Sequence, residues 1–307
     1  MNPALLDTVR RYAEACADPA GVARTPVPGL ALIRATSPSS IEYAISRPLA
    51  CLVLQGSKRV TTGAETFSFT AGDSLLIAAD VPTVSQITRA SPAQPYFSLV
   101  LDLDLAILGE LAVEMKLDQA APGAAVTVEP TDGEVADAAL RLMRLVERPA
   151  ALPVLQAQLL REMHYWLLAG RHGAAIRQLG GAGNRTRRVA RAVALLRKEY
   201  AQALPVARLA EAAGMSPSAF HKHFRGATSL TPLQFQKQLR LIEARRLMTA
   251  EGLSASSAAF AVGYESVQQF TREYRRMFGL PPARDAEAVR DAARPAPATV
   301  AASGMPG

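Results

Sequence analysis

The chain contains 307 residues, enough for about two domains of roughly 150 residues each. Apolar residues make up 49% of it and charged residues 20%, a composition that supports a folded core and excludes a disordered or fibrous protein. No uncharged stretch approaches the roughly 18 residues that a membrane-spanning helix needs, and the first twenty residues lack the apolar core of a secretion signal. With only two cysteines, Cys16 and Cys51, no disulfide framework is expected, and we place the protein in a reducing cytosol.

The positive charge is concentrated in one third of the chain. Residues 1–184 carry 15 Lys and Arg against 18 Asp and Glu, whereas residues 185–290 carry 18 against 8. An excess confined to one region indicates a polyanionic partner for that region, although a well-solvated basic surface has the same composition. Charge alone therefore does not identify the function.

Residues 25–104 contain short β-segments separated by turn signals. The candidate strands are 30–35, 41–46, 49–55, 66–69, 74–78 and 96–101. The unbroken apolar run of the third segment suits a strand that is buried on both faces. Several short strands at this spacing predict a small β-barrel or a double-sheet sandwich.

From about residue 105 to 178 the apolar residues follow the period of a helix. Leu155, Leu159, Met163 and Leu167 recur at helical spacing, and residues 140–146 belong to a shorter helix before them. These helices can pack on the β-domain or on a second copy of themselves. For either helix alone, packing within the chain is the favoured interpretation.

The domain boundaries follow from composition. The glycine-rich segment 179–184 predicts a flexible linker, ending by residue 187, where the charge changes sign. We therefore assign residues 1–183 to a first domain and residues 188–286 to a second. Residues 287–307, which are rich in Ala, Pro and Gly, are predicted to be disordered.

An internal repeat lies in the basic region. A pattern of small, glycine, serine and aromatic positions occurs twice, as Ala210, Gly214, Ser216, Phe220 and Phe224, and as Ala259, Gly263, Ser266, Phe270 and Tyr274. Each copy predicts a helix, a glycine turn and a second helix, and we place the two helix-turn-helix units at about 205–226 and 254–276. The glycines fit the left-handed position after a helix, and the serines fit the N-cap of the next one.

The second helix of each unit divides into a buried and an outward face. The aromatic residues of the repeat form the buried stripe. The outward faces are polar and cationic, with Ser218, His221, Lys222 and Arg225 on the first helix and Gln268, Thr271, Arg272 and Arg275 on the second. Gln, Lys and Arg can read base edges in the major groove, while Arg225 and Arg275, one turn later, suit phosphates. Two such faces in one basic domain favour nucleic-acid binding over an ordinary solvated surface.

The spacer between the units supports this interpretation. Pro232 is suited to the first position of a helix that extends to residue 250. Eighteen residues at about 1.5 Å each span roughly 27 Å. With the flanking turns, this length approaches the ~34 Å between successive major-groove faces on one side of a duplex. One chain can therefore contact two adjacent grooves, with some bending of the DNA.

Residues 187–286 resemble the AraC/XylS family of bacterial transcription regulators. The resemblance is carried by Val206-x-x-Leu209-Ala210, Gly214-Met215-Ser216, Phe220-x-x-x-Phe224, Arg240-Leu241-x-x-Ala244-Arg245, Gly263-Tyr264-x-Ser266 and Phe270-x-x-x-Tyr274-Arg275-x-x-Phe278-Gly279-x-x-Pro282. It implies that both recognition helices enter adjacent major grooves of double-stranded promoter DNA. The base readers that it implies are Ser218, His221, Lys222, Gln268, Gln269, Thr271 and Arg272. The family also implies a homodimer and, if the protein is an activator, contact with RNA polymerase.

The N-terminal region resembles one branch of the sensor domains of the same family. The similar segments are residues 46–58, 71–73, 81–82 and 95–96. The resemblance implies a small cupin-like β-barrel with helices behind it, in agreement with the strand pattern. The predicted fold is thus α+β and multidomain: a cupin-like barrel with packing or dimerisation helices, then an all-α domain with two helix-turn-helix units joined by a long helix.

A cupin-like barrel raises the hypothesis of a metalloenzyme. Metal ligands would have to converge inside the barrel, yet the four histidines, His164, His172, His221 and His223, all lie outside the strand region. No phosphate-binding loop or nucleophile motif is visible either. We therefore predict no metal, no cofactor and no enzymatic activity.

A small-molecule effector is the expected ligand of the barrel. The candidate lining residues are Arg34, Tyr43, Cys51, Lys58 and Tyr96. For Cys51 a redox-sensing or electrophile-sensing thiol stands beside the alternative of an inert buried one. In the alternative function, the first domain only dimerises and senses no ligand.

Overall fold

The structure, a computed structural model, describes residues 2–62, 65–117, 126–180, 185–228 and 230–293. The chain forms two compact units, Met1–Glu199 with Leu204–Gln238, and Tyr200–Ala203 with Leu239–Gly307. The division falls beyond the predicted linker because the first helix-turn-helix unit has its contacts in the same unit as the β-domain. The assignment of residues 188–286 to one DNA-binding domain stays a prediction.

The β-domain consists of two facing antiparallel sheets. The strands in the described residues are β1 Val22–Arg24, β2 Leu30–Ala35, β3 Glu42–Ser46, β4 Leu49–Gln55, β5 Ser57–Thr62, β6 Glu65–Thr70, β7 Asp73–Ile77, β8 Val81–Arg89, β9 Tyr96–Asp102 and β10 Val126–Pro130. One sheet has the order β1-β2-β9-β4-β7-β10, and the other has the order β3-β8-β5-β6. The predicted double-sheet β-domain is confirmed, with strands β1, β5, β8 and β10 in addition to those predicted.

The strands of the larger sheet lie between two apolar cores. Side chains alternate along a strand, so neighbouring residues point to opposite faces. On β9, Phe97 and Leu99 are fully buried against the helices, whereas Tyr96 belongs to the core between the two sheets. Burying one such side chain contributes about 1.5–3 kcal/mol, so this alternation fixes the register of the sheet.

Helices cover the outer face of the larger sheet and form the second half of the chain. The first group is α1 Pro3–Cys16, α2 Leu105–Glu114, α3 Gly133–Val146, α4 Leu152–Ala169 and α5 Gly173–Gly180, with a 3-10 turn at Pro149–Ala151. The second group is α6 Arg185–Glu199, α7 Val206–Ala212, α8 Pro217–Thr228, α9 Pro232–Ala250, α10 Ala255–Ala261, α11 Val267–Phe278 and α12 Pro282–Ala293. The predicted helix-turn-helix units and the long helix from Pro232 are confirmed. No helix in the described ranges is long and apolar enough to cross a membrane.

Two predicted irregular segments are shorter than expected. Residues 179–180 end α5 and residues 185–187 begin α6, although all five were assigned to the linker; residues 181–184 lie outside the described residues. Residues 287–293 belong to α12, which corrects the predicted disorder there, while 294–307 lie outside the described residues. Asp285, near the start of this helix, is buried and accepts a hydrogen bond from Arg245, which anchors the helix.

Two buried histidines join the helices to the β-domain. The backbone N–H of Asp104 donates to Nε2 of His164 at 2.9 Å, and Nδ1–H of the same ring donates to the carbonyl of Leu160 at 2.7 Å. In His172, Nε2 bonds Ser74 Oγ at 2.8 Å and Nδ1 bonds Thr127 Oγ1 at 3.0 Å. Burial lowers the pKa of both rings, so the neutral forms hold these bonds.

The His164 contacts predict a loss of stability in acid. The unfolded chain binds a proton near pH 6.5, whereas the folded ring binds it only at lower pH, because a proton on Nε2 would face the N–H of Asp104. The contribution is therefore complete above pH 6.5 and decreases as the pH falls through the folded pKa, by up to about 1.4 kcal/mol per pH unit. We expect His164→Gln to reduce the pH dependence of the urea unfolding free energy between about pH 7 and 5.

The matched control for this experiment is His221→Gln. His221 is exposed on α8, so this variant makes the same replacement outside the buried contacts of His164. An equal pH dependence in His164→Gln and in the unsubstituted chain would contradict the assignment.

Candidate nucleic-acid interface and effector pocket

Both helix-turn-helix units have the predicted glycine turn and serine cap. Gly214 has a φ of 60° and Gly263 a φ of 87°, so both adopt the left-handed backbone that favours glycine. Ser216 Oγ accepts the N–H of Ala219 at 3.4 Å. Ser266 Oγ accepts the N–H of Gln269 at 3.4 Å. The turn and the cap thus set the direction in which each recognition helix begins.

Aromatic stacking holds each recognition helix in its unit. In α8, the ring centroids of Phe220 and Phe224 are 5.3 Å apart, and Phe224 meets Phe235 edge-on at 5.5 Å. In α11, Phe270 and Tyr274 are separated by 5.4 Å. Each such pair contributes about 0.5–1.5 kcal/mol beyond the area that it buries. The predicted buried stripes are therefore confirmed.

A hydrogen-bonded cluster fixes the second recognition helix against its neighbours. Tyr274 Oη donates to Asp285 Oδ2 at 2.7 Å, and Arg245 Nε donates to the same oxygen at 2.7 Å. The Arg245 guanidinium also lies over the ring of Phe278, 5.4 Å from its centroid. Burial raises the pKa of Tyr274, so its hydroxyl remains a donor. This cluster connects α11 to α9 and α12.

The outward face of α8 is available to a partner. Ser218, His221, Lys222 and Arg225 are all exposed. Within the described residues, the side chains of Lys222 and Arg225 form no hydrogen bond or ion pair. Two cations at the surface of one helix, without an internal counter-ion, form a site for an anionic ligand.

The predicted outward residues of α11 are also exposed, except Thr271. Gln268, Gln269, Arg272 and Arg275 are exposed. Thr271 is half-buried, and its hydroxyl donates to the carbonyl of Val267 at 2.8 Å, so only its methyl group is free to contact a base. The sequence prediction did not include Arg276, an exposed cation beside Arg275 that falls off the strict helical stripe.

Arg240 joins the second glycine turn to the loop after α6. Its guanidinium donates to the carbonyls of Tyr200 at 2.7 Å, Gly263 at 2.9 Å, Gln202 at 3.0 Å and Ala201 at 3.2 Å. Arg240 belongs to one of the family motifs in the sequence, but the sequence alone did not predict its contacts. These four carbonyls accept from all three guanidinium nitrogens, and the three donors of a lysine ammonium group do not supply such a set.

Gly263 and Gly279 have similar φ angles, but we expect them to tolerate alanine differently. At Gly263 a Cβ would overlap the carbonyl oxygen of Ala201, whereas at Gly279, with a φ of 82°, a Cβ meets no described atom within 4 Å. We expect Gly279→Ala to lower the free energy of unfolding by about 1–2 kcal/mol through backbone strain alone. Gly263→Ala should lower it by clearly more, because the loop must also move; equal losses in urea unfolding would contradict the close approach.

Strand register places three of the five predicted effector residues inside the β-domain. Cys51 lies opposite Leu75, Lys58 lies opposite Phe69 and Ile87, and Tyr96 itself belongs to the core between the sheets. Residues opposite each other on antiparallel strands share a face. Cys51, Lys58 and Tyr96 therefore point toward the same interior.

The other two predicted effector residues face away from that interior. Arg34 pairs with Phe97, on the side of the larger sheet that packs against the helices. Tyr43 pairs with Val84, on the outer face of the smaller sheet. The prediction that they line a barrel pocket is corrected, since it ignored the two-residue period that the pairing imposes.

The interior contains three closely spaced polar groups. Tyr96 and Ser98 are 0% and 1% exposed, and their hydroxyls lie close to each other and to the Cys51 thiol, without a hydrogen bond of good geometry among the described residues. A buried hydroxyl whose hydrogen bond is missing altogether costs about 1–3 kcal/mol. Ser98 was missed by sequence analysis, although its place two residues after Tyr96 in an apolar strand is a usable signal. The Tyr96 and Ser98 hydroxyls can form hydrogen bonds with a bound molecule.

Cys51 lies beside these hydroxyls. Burial raises the pKa of its thiol, and nearby Lys58 opposes this shift. A thiol with a raised pKa stays protonated and is a poor nucleophile. This environment favours the inert thiol over the sensing one. Within the described residues, no group of three or more His, Cys, Asp or Glu side chains forms a possible metal site.

Comparisons with family models agree with this division. Residues 26–175 match a model described as the AraC-type transcriptional regulator N-terminus, and residues 209–287 match a helix-turn-helix domain. The two matches do not overlap, and together they cover most of the chain.

The curated relatives match over part of this chain. HTH-type transcriptional activator RhaS from Escherichia fergusonii is 31% identical over 114 residues, which are 37% of this chain and 41% of that protein. RhaS from Citrobacter koseri is 30% identical over 112 residues, or 36% of this chain and 40% of that protein. The match thus spans about two fifths of the length of these relatives.

Solved structures are similar over both regions. ToxT from Vibrio cholerae aligns with a TM-score of 0.57 and 9% identity, covering 84% of this chain and 97% of that chain. A second ToxT structure gives a TM-score of 0.56 at 9% identity, with the same coverage. At this identity, the likeness shows a shared fold.

Proposed function

Because the chain belongs to the AraC family of transcriptional regulators, we propose that it is a sequence-specific DNA-binding regulator whose two recognition helices read adjacent major grooves. The observation that carries the proposal is the repeated recognition helix, anchored by buried aromatic rings and exposing cations that have no ion-pair partner in the part of the chain that the structure describes. Catalysis plays no part in this role, and we assign no reaction to the protein. A promoter-binding role places it in the bacterial cytosol.

The exposed side chains divide into two kinds of DNA contact. Toward base edges we assign Ser218, His221, Lys222, Gln268, Gln269, Thr271 and Arg272. Arg225 and Arg275, one turn further along their helices, are assigned to phosphates. Phosphate contacts position the protein and dominate salt-dependent affinity, while base contacts determine the preferred sequence.

The proposal is tested by selecting bound fragments from random and genomic DNA with the full chain at near-physiological salt. We expect an asymmetric site with two preferred blocks about one helical turn apart. Tight binding without sequence preference would contradict the proposal and indicate phosphate attraction alone.

Two neighbouring arginines on α11 should behave differently. Arg272→Ala should cost on the order of 1–3 kcal/mol at one base pair of the site and relax specificity there, since a base contact is lost. Arg275→Ala should weaken binding to all sequences alike and reduce the salt dependence, because a phosphate contact is lost. Identical effects of the two substitutions, measured by fluorescence anisotropy on matched and mismatched sites, would contradict the assignment of faces.

We further propose that a small molecule binds inside the β-domain and modulates DNA binding. The support is the buried polar cluster of the Tyr96 and Ser98 hydroxyls and the Cys51 thiol, which lacks hydrogen bonds of good geometry among the described residues and shares the interior with Lys58. ToxT, which has a similar fold, has been solved bound to (E)-4-(8-methylnaphthalen-1-yl)but-3-enoic acid. In the alternative, the first domain only dimerises, and no small molecule stabilises it.

Substitution of two tyrosines on opposite faces of the β-domain separates these alternatives. Tyr96→Phe removes a buried hydroxyl that makes no hydrogen bond of good geometry among the described residues, so the free protein should lose little stability. It should also lose the rise in melting temperature that a stabilising small-molecule mixture causes in the unsubstituted chain. Tyr43→Phe, on the outer face, is the matched control and should retain that rise; its retention in Tyr96→Phe as well would contradict the pocket.

The partner that we propose for the helical layer is a second copy of the chain. On α4, Val154, Leu155 and Tyr165 remain 66%, 45% and 36% exposed. Apolar side chains on one exposed helix suit a symmetric interface, where each copy covers the same residues of the other. Sedimentation velocity tests this, since a dimer has twice the 32.6 kDa mass of one chain. Contact with RNA polymerase is expected if the protein activates transcription.

A further inference from the structure

One arginine of the basic region is bound to the β-domain. Arg197, on α6, donates from Nη2 to Asp80 Oδ1 at 2.8 Å and from Nε to the same oxygen at 3.2 Å. Its Nη2 also donates to the carbonyl of Ile45 at 2.9 Å. Asp80 immediately precedes β8, and Ile45 belongs to β3, the strand paired with β8. The contact thus joins residues more than a hundred positions apart in sequence.

Both partners of the contact are partly buried. The side chains of Arg197 and Asp80 are only 21% and 15% exposed, so solvent screens the pair weakly. Burial raises the pKa of Asp80, while Arg197 and Arg47 oppose the shift. Removing one partner leaves the other partly buried and unpaired, which costs more than losing a surface ion pair.

Other contacts surround this ion pair. Ile45 shares a face with Pro82, on the outer side of the smaller sheet, and yet is only 8% exposed. The first recognition helix, α8, packs against β8. Beside the ion pair lies a cleft of about 540 Å³, lined by side chains of both α6 and the β-domain. A single interface therefore includes Arg197, β8 and a recognition helix.

The strand in this interface is also a wall of the proposed effector pocket. Val81 and Ile87 on β8 belong to the same core as Tyr96 and Cys51, and α8 contacts this strand. A molecule bound beside Tyr96 would therefore meet the strand whose first residue follows Asp80. A shift of β8 would connect such binding to the Arg197–Asp80 contact.

The packing of α8 against β8 limits the access of α8 to DNA. An α-helix with its side chains is about 10–12 Å wide, and the major groove is about 12 Å wide. A helix that enters the groove thus has sugar and phosphate on both of its sides. Strand β8 and the DNA backbone therefore compete for the same side of α8.

We propose that the Arg197–Asp80 contact is a latch that restrains the first helix-turn-helix unit on the β-domain and opens when β8 shifts. This inference rests on the proposed function, because it assigns a route by which the effector changes DNA binding. An open latch frees α8 to enter the groove. A closed latch keeps affinity low in the absence of effector.

The test compares Asp80→Asn with a matched control in the full chain. Asp80→Asn removes the charge that holds Arg197 and should raise the affinity for the selected DNA site on the order of tenfold without any added small molecule. Asp132→Asn makes the same change in another aspartate paired with an arginine, Arg171, and should leave affinity unchanged. Equal affinity of Asp80→Asn and Asp132→Asn would overturn the latch.

A second measurement does not depend on DNA. Hydrogen exchange of residues 81–89 should become faster in Asp80→Asn, because the outer face of β8 loses its cover, and remain unchanged in Asp132→Asn. Arg197→Lys, which keeps the charge but loses the two-donor geometry, should shift exchange in the same direction. Unchanged exchange in both latch variants would overturn the proposal. Absence of any selected DNA site would count against the proposed function alone.

Discussion

The alternation of side chains along the strands of the larger sheet is the constraint on which the rest of the structure depends. Phe97 and Leu99 must face the helices, because that layer has no other cover, and the same pleat then directs Tyr96 and Ser98 into the space between the sheets. The place of these hydroxyls is thus inseparable from the register that buries Phe97 and Leu99 against the helices. A shift by one residue would put Phe97 and Leu99 between the sheets and turn Tyr96 and Ser98 toward the helices.

The helical region contains the same glycine turn and the same aromatic packing twice, with different neighbouring segments. Each unit uses a left-handed glycine to redirect the chain and aromatic rings to hold the recognition helix. Gly263 in addition receives the backbone of the loop at Ala201, and Arg240 binds that loop through its carbonyl groups. Identical sequence signals therefore give the same turn, while the neighbouring chain determines how rigidly the turn is held.

The compact units of the structure and the charge distribution of the sequence divide the chain at different positions. The charge changes sign near residue 184, yet α6 and the first helix-turn-helix unit belong to the same compact unit as the β-domain. Part of the reason is electrostatic, because an arginine from the basic region neutralises an aspartate that burial would otherwise disfavour. A regulator in which sensing and DNA binding are coupled needs contacts of this kind, and such contacts cross the boundary that composition indicates.

Local signals in the sequence were sufficient for the repeated helix-turn-helix, the glycine turns, the serine caps and the outward cationic faces, because each depends on residues within about one turn or loop of one another. The apolar strands β4 and β9 followed from composition for the same reason, whereas β8 and β10 did not, since their half-polar segments become strands only by pairing with distant partners. Of the effector residues, Arg34 and Tyr43 were assigned wrongly because facing is decided by pairing register, which no single strand contains. The buried cluster of Tyr96, Ser98 and Cys51 and the Arg197–Asp80 contact likewise arise only when remote segments meet, so the tertiary structure alone determined them.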